Sequence, residues 1–141
     1  MSEDHWTWQC ERVIPSEMGA GRQILEELLQ QLKARRWVPH DVFGVHVAVH
    51  EALVNAIMHG NRLSPEKRVT FRCRLSPELL RVEIADEGEG FDPHRLPDPT
   101  DPDRLETPTG RGVMLMRAFM SRVDFCPRGN CVVMEKRPEG A

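Results

Sequence analysis

The chain has 141 residues, the length of a single domain with a sizeable core, and a formal net charge of −3. No run of Lys or Arg predicts direct contact with nucleic acid, and no apolar run is expected to reach membrane-spanning length. The acidic, polar N-terminus is unlike a signal peptide, so we expect a cytoplasmic protein.

The first half of the chain predicts one strand and two helices. Residues 6–14 alternate loosely and predict a strand, after which Ser16 is expected to cap an amphipathic helix over residues 17–36. A break at residues 39–41 follows, with Asp41 as the expected cap of a buried helix over residues 42–58. Gly60 is well placed to end that helix.

The buried helix carries a polar stripe. Glu51, Asn55 and His59 are spaced i, i+4 and i+8, which places them on one face. Burying a carboxylate there requires a metal, a polar ligand or a charged neighbour. The alternative is a half-exposed helix whose stripe faces water, and we expect His59 to cap or pack the helix end.

The second half predicts two hairpins separated by a long loop. Strands are expected over residues 67–75 and 79–85, and again over 123–126 and 131–136, with a short helix over 112–120. Five prolines and eight acidic side chains between residues 86 and 109 predict a lid, a binding loop or disorder. The fold class is α/β, an α+β sandwich with a mixed, mainly antiparallel sheet and helices packed on one face.

Four cysteines are scattered without the C-x-x-C spacing of a zinc site. Cys126 and Cys131 flank four residues and could lie close across a hairpin, although buried free thiols are the expected state. The methionines Met114, Met116 and Met120 are expected to pack in the core.

Two glycine motifs follow the polar stripe. Asp86-Glu87-Gly88-Glu89-Gly90 comes where a strand ends, where glycine lets a ligand approach the backbone and Asp86 can accept hydrogen bonds from a base. Gly110-Arg111-Gly112 lies directly before a helix, whose free N–H groups suit phosphates. Each motif alone is weak, because turns and helix starts often contain glycine.

Two other motifs do not fit the sequence. His50-Glu51 begins H-E-x-x-H, but Val54 occupies the second histidine position, which excludes that zinc site. His50 as a phosphoacceptor would need a separate dimerising hairpin to present it, so a core position is expected instead.

The ordered set E-x-x-x-N, D-x-G-x-G, loop and G-x-G resembles the GHKL, or Bergerat-fold, ATPase superfamily over residues 40–136. Within it the chain is most similar to the anti-sigma factor serine/threonine protein kinases. Their E-A-x-x-N-A-I-x-H-G helix matches residues 51–60, and their G-R-G-V-M-L-M-R-A-F-M segment matches residues 110–120.

The resemblance implies ATP and a magnesium ion, Mg²⁺, as cofactors in one histidine-kinase-like ATPase domain over residues 1–141, with an ATP lid at about 87–112. It implies that Asn55 binds Mg²⁺, Asp86 contacts adenine and Glu51 is the general base. Arg111 is expected to neutralise phosphoryl charge, unless it is a solvated loop residue. The nucleotide pocket is expected to be shaped by Gly88, Gly90, Gly110, Gly112 and Val113.

The function that the resemblance implies is phosphorylation of a Ser or Thr on an anti-sigma factor antagonist of the STAS type. A sigma factor would be the second partner, and a homodimer is plausible. An ATP-binding switch module without phosphotransfer and a GHKL ATPase are the alternatives. Glu51 favours the kinase and the ATPase over the switch module, because nucleotide binding needs no base there.

Overall fold

The computed structural model describes residues 6–90 and 110–139, so most of the predicted lid, residues 91–109, lies outside the described residues. The strands and helices follow the predicted order, with boundaries that differ by at most four residues. They are β1 (Trp8–Pro15), α1 (Met18–Ala34), α2 (Pro39–Val54), a π-helical turn (Asn55–Gly60), β2 (Arg68–Leu75), β3 (Leu80–Ala85), α3 (Gly110–Phe119), β4 (Arg122–Phe125) and β5 (Cys131–Lys136).

The five strands form one sheet in the order β1-β2-β3-β5-β4. Each pair of neighbouring strands is antiparallel. The expected α/β class with helices against a sheet is confirmed, and every described strand pair is antiparallel where a mixed sheet was expected. The β5 strand lies between β3 and β4, which brings the end of β3 beside the turn of the last hairpin.

Strand β2 shows why the sheet has one packed face and one solvated face. Val69, Phe71, Cys73 and Leu75 are buried in the core, and the intervening arginines are exposed, as the alternation predicts. On the solvated face Arg72 pairs with Glu11 at 3.0 Å and with Glu83 at 3.2 Å. The packed face and the helices share one hydrophobic core.

The central helix α2 is more apolar than α1 and α3. By length and composition Pro39–Gly60 would be able to span a membrane, which shows that the expectation of no such run is wrong. In the fold it is a core helix that packs against α1 and α3, and Val45, Ala48, Val49 and Leu53 are buried.

Two predicted helix caps are wrong because their side chains have distant partners. Ser16 Oγ donates to the Lys67 carbonyl at 2.7 Å, and Glu17 occupies the N-cap position of α1. Helix α2 begins at Pro39, so Asp41 lies within the first turn rather than before it. The Asp41 carboxylate is fully buried and accepts the Glu139 N–H at 2.8 Å.

The methionine prediction is partly wrong. Met116 and Met120 are buried, whereas Met114 is 59% exposed on α3. His50 is half-buried on α2. The four cysteines are free thiols, as expected, but only Cys73 is buried, and Cys10, Cys126 and Cys131 are half-buried where burial was expected.

Candidate functional site

A half-open cleft lies where the π-helical turn, the end of β3, α3 and the β4–β5 hairpin meet. Within the described residues its cavity volume is about 40 Å³, the room of a few water molecules. Its walls are apolar and its polar groups are few. The lining residues are Ala52, Asn55, Ala56, His59, Gly60, Ile84, Asp86, Gly90, Met116, Phe125, Gly129, Asn130, Cys131 and Val132.

The π-helical turn positions the polar stripe of the central helix. Asn55, His59 and Gly60 all line the cleft. The Nδ2 atom of Asn55 is buried and has no hydrogen-bond partner among the described residues. Because buried amides are nearly always hydrogen-bonded, this side chain is suited to a ligand. Rotating the amide by 180° would present its oxygen to the same space.

Asp86 lies directly after β3 and is held by backbone groups. Its Oδ1 accepts the Gly88 N–H at 2.8 Å, and its own N–H donates to the Asn130 carbonyl at 2.9 Å. Burial raises the pKa of Asp86 to about 6, against the opposing effects of the Gly88 N–H and the charge of Lys67. The carboxyl group is therefore a hydrogen-bond acceptor in a partly desolvated place.

Three glycines allow the backbone around Asp86 to pack closely. A Cβ on Gly60 would lie 2.5 Å from the Asp86 carboxylate, and one on Gly88 would overlap the Gly60 carbonyl. Gly90 has a φ of +84°, and a Cβ there would overlap the Arg128 carbonyl. Gly90 lines the cleft, whereas Gly88 is buried behind Asp86.

Asn61 is a structural partner of this loop that the sequence analysis missed. It is 1% exposed, and its Oδ1 accepts the Glu87 N–H at 2.7 Å. Its Nδ2 donates to Ser16 Oγ and to the Arg68 carbonyl, both at 2.9 Å. Asn61 thereby fixes the loop after β3 to the end of the central helix. The only signal in the sequence was an amide directly after Gly60.

The remaining predicted residues lie beside the described cleft. Glu51 is half-buried on α2, one turn before Asn55, and is not among the lining residues of the described part of the chain. Gly110, Arg111, Gly112 and Val113 form the first turn of α3, so the motif begins the helix instead of preceding it. Arg111 is exposed, Gly112 and Val113 are buried, and Met116 of the next turn lines the cleft.

Across residues 6–90 and 110–139, no group of three or more His, Cys, Asp or Glu side chains has the arrangement of a metal site. A hard cation such as Mg²⁺ does not need one, because it is commonly held by one or two protein oxygens together with ligand phosphates and water. The buried Asn55 amide fits that role.

Comparison with known proteins gives a family match over most of the chain. The family described as "Histidine kinase-like ATPase domain" matches residues 14–136. The anti-sigma F factor of Oceanobacillus iheyensis is 31% identical over 99 residues, 66% of this chain and 67% of the relative. The anti-sigma F factor of Bacillus cytotoxicus is 35% identical over 84 residues, 57% of each chain.

A solved structure shares the fold. The structure of the RsbU and RsbW domains of Rv1364c from Mycobacterium tuberculosis gives a TM-score of 0.62 at 14% identity. The match covers 93% of this chain but only 32% of the larger one, so it supports the architecture alone.

Proposed function

The chain belongs to the histidine kinase-like ATPase family, among the anti-sigma factors, and from this premise we propose that it is an ATP-dependent serine/threonine protein kinase that regulates a sigma factor. The proposed substrate is a Ser or Thr on a STAS-type anti-sigma factor antagonist. The proposed setting is the cytoplasm, with a homodimer as the plausible assembly.

One observation carries the proposal: the half-buried Asn55, whose buried Nδ2 has no hydrogen-bond partner among the described residues, and the partly desolvated carboxylate of Asp86 line the same apolar cleft. Adenine has an amino group that can donate to Asp86, and Ile84, Met116 and Phe125 offer apolar surface to its ring. The glycines of the loop leave room for backbone to approach the nucleotide.

Asn55 is the residue that would hold Mg²⁺, because an amide oxygen is a ligand that this ion accepts. When bound, Mg²⁺ offsets negative charge on the phosphates. The N-terminal end of the α3 dipole and the exposed guanidinium of Arg111 are suited to the same phosphates.

Glu51 is the proposed general base. The hydroxyl oxygen of the substrate Ser or Thr attacks the γ-phosphorus, the bond from that phosphorus to the bridging oxygen breaks, and ADP leaves. Glu51 takes up the hydroxyl proton. Its position one turn before Asn55 supports this role, since side chains at i and i+4 lie on the same face.

A switch that binds ATP without phosphotransfer is the second candidate function. It is favoured by the place of Glu51 outside the lining of the described cleft. An ATPase, with water in place of the hydroxyl, is the third possibility.

Incubation with γ-labelled ATP, Mg²⁺ and a candidate STAS protein separates the three functions. The kinase puts label on a Ser or Thr of the partner, an ATPase releases labelled phosphate, and a switch retains intact ATP. Asp86→Ala should abolish ATP binding and labelling, whereas Asp124→Ala, a matched change on the solvated face, should leave both intact. Nucleotide binding without label on any partner residue would overturn the kinase assignment.

A further inference from the structure

Cys126 and Cys131 face each other across the last hairpin. The Cys126 N–H donates to the Cys131 carbonyl at 3.1 Å, and the β4–β5 register, continued by one residue beyond Phe125 and Val132, places the two cysteines opposite each other. Opposed residues of an antiparallel pair have Cα atoms about 4.5–5.5 Å apart, within the range that a disulfide spans. Both side chains are partly exposed, so a small oxidant can reach them.

The four residues between these cysteines contact the candidate nucleotide site. The Asn130 carbonyl accepts the Asp86 N–H, and the Asn130 amide nitrogen lies 3.4 Å from the Asp86 carbonyl. The Arg128 carbonyl packs against Gly90, and Gly129 lines the cleft. The Cys126 thiol in turn donates to Asn130 Oδ1 at 3.1 Å. A change at the two sulfur atoms therefore acts on residues that hold Asp86.

We propose that Cys126 and Cys131 form a peroxide-sensitive dithiol, and that its oxidation to a disulfide weakens nucleotide binding in the adjacent cleft. The second half of this proposal rests on the proposed binding of ATP. The first half is a modification site of the hairpin itself.

The two thiols differ in reactivity. Burial by itself raises the pKa of Cys126, but hydrogen bonds from the Cys131 thiol and from nearby backbone N–H groups hold that pKa below its usual value. Burial and the hydrogen bond to Cys126 raise the pKa of Cys131 to about 12. Cys126 is thus the attacking thiolate and Cys131 the resolving thiol.

The reaction balances with hydrogen peroxide as oxidant. The Cys126 thiolate attacks one peroxide oxygen, the O–O bond breaks, and the departing hydroxide takes up a proton as water. Cys126 is then a sulfenic acid. Cys131 attacks its sulfur, the S–S bond forms, and a second water leaves. Two thiols lose two electrons and one peroxide gains them.

The disulfide removes the S–H donor to Asn130 Oδ1 and holds the base of the turn by a covalent bond. Asn130 loses one restraint while its carbonyl still faces the Asp86 N–H. We expect nucleotide affinity to fall roughly three- to ten-fold, the effect of losing about one neutral hydrogen bond.

The test compares the full chain in dithiothreitol and after hydrogen peroxide treatment. Oxidation should lower the mass by about 2 Da, for the two hydrogens lost. It should link the peptides that contain Cys126 and Cys131, speed amide exchange at Asp86, and weaken ATP binding in titration. In Cys126→Ser, which keeps a hydroxyl donor toward Asn130, ATP affinity should be the same in both conditions.

Cys10→Ser is the matched control. Cys10 faces Cys73 across β1 and β2, and β1 is the edge strand opposite to β4 in the sheet. This variant should respond to peroxide as the unmodified chain does. A link between other cysteines, a disulfide between two chains, or a Cys126–Cys131 link with unchanged Asp86 exchange and ATP affinity would overturn the proposal. Asp86 exchange needs no nucleotide, so a reduced protein that fails to bind ATP would contradict the proposed function alone.

Discussion

Asp86 is held in a place that favours its protonated form. Because burial raises its pKa to about 6, the folded chain keeps a proton between about pH 4 and 6 that the unfolded chain has released. The unfolded state binds fewer protons in that window, so this group makes the fold less stable as the pH rises through it. Above about pH 6 the destabilisation caused by Asp86 is complete and no longer changes with pH.

Asp86→Asn should therefore stabilise the nucleotide-free protein at pH 7 while it weakens ATP binding. The gain should be roughly 1 kcal/mol after allowing for the partial exposure of the side chain, and it should vanish below about pH 4. Urea unfolding at pH 4, 5 and 7 measures it. Asp124→Asn, an exposed control, should change stability by less than about 0.5 kcal/mol at each pH. A destabilised Asp86→Asn variant at pH 7 would contradict this account of the carboxylate.

Asn55 supplies the second prediction at the residue scale. Its buried amide has no partner among the described residues, and the proposal gives that amide to Mg²⁺. Asn55→Ala should weaken ATP binding when Mg²⁺ is present and have little effect in EDTA. Equal losses in the two titrations would show that the amide has a structural role only.

Individual residues were the hardest level to predict from sequence. The spacing of Glu51 and Asn55 predicted a shared helix face, and Asp86 was recognised at a strand end. Asn61 was missed because its partners, Ser16, Arg68 and Glu87, are separated from it by up to 45 residues. A hydrogen bond between distant segments leaves no local pattern in the chain.

At the scale of the element, the π-helical turn sets the shape of the cleft. It continues α2 and ends at Gly60, and the N–H of the next residue, Asn61, donates to the Ala56 carbonyl at 2.9 Å. The wider turn brings Gly60 against the Asp86 carboxylate, where only a hydrogen fits on the Cα. Sequence analysis predicted the end of the helix at Gly60 but not the π geometry, because both helix types show similar apolar spacing.

Gly60→Ala tests this close contact, with Gly19→Ala as the matched control. The new methyl group at position 60 would displace the Asp86 carboxylate, so ATP affinity and stability should both fall, the latter by about 1–3 kcal/mol. Gly19 is exposed in the first turn of α1 with no atom within 4 Å of an added Cβ, and alanine there should stabilise the helix by about 0.5–1 kcal/mol. Similar effects of the two changes on ATP binding would contradict the packing described for Gly60.

Elements with a clear period were predicted well. The alternation over β2 predicted its end at Leu75, its start to within one residue, and its buried face, because a period of two reports directly which side chains meet the core. The start of α2 was wrong by three residues, since Asp41 was read as a cap when its carboxylate is turned to the C-terminal segment. Local cap signals fail where a long-range partner takes the side chain.

At the scale of the whole molecule, a buried ion pair joins the central helix to the last strand. Lys136 Nζ lies 3.8 Å from Asp41 Oδ1, and both side chains are almost fully buried. Lys136 also donates to the Phe119 carbonyl at 2.9 Å, so three elements meet at one ammonium group. The pair is distant in sequence, and no motif predicted it.

Replacing one residue of this ion pair should destabilise the fold strongly, because it removes the opposite charge from a buried group. Lys136→Met leaves the Asp41 carboxylate buried without this cation and should cost about 3–5 kcal/mol. In the double variant Asp41→Asn/Lys136→Met the loss should be smaller than the sum of the two single losses. Arg122→Met, which removes a cation from an exposed pair with Asp124, should cost about 1 kcal/mol or less. Strictly additive losses at Asp41 and Lys136 would show that the two charges do not interact.

The cleft is formed by segments that are distant in the chain, so not all of its lining residues could be predicted from the sequence. Asn55, Asp86 and Met116 came from recognised motifs, but the opposite wall is formed by Phe125 and the turn before Val132. That wall depends on β5 pairing with β3, a topology that strand patterns alone do not specify.

The central claim is that the chain uses ATP for phosphotransfer instead of only holding it. Glu51→Gln tests that claim most directly, because the amide keeps the size of the side chain and removes the proposed base. ATP affinity should stay within about twofold of the unmodified chain, while transfer of label to the STAS partner should fall roughly 10²–10⁴-fold. Glu26→Gln, an exposed change on α1, should alter neither quantity. A Glu51→Gln variant that phosphorylates its partner at the rate of the unmodified chain would contradict the mechanism.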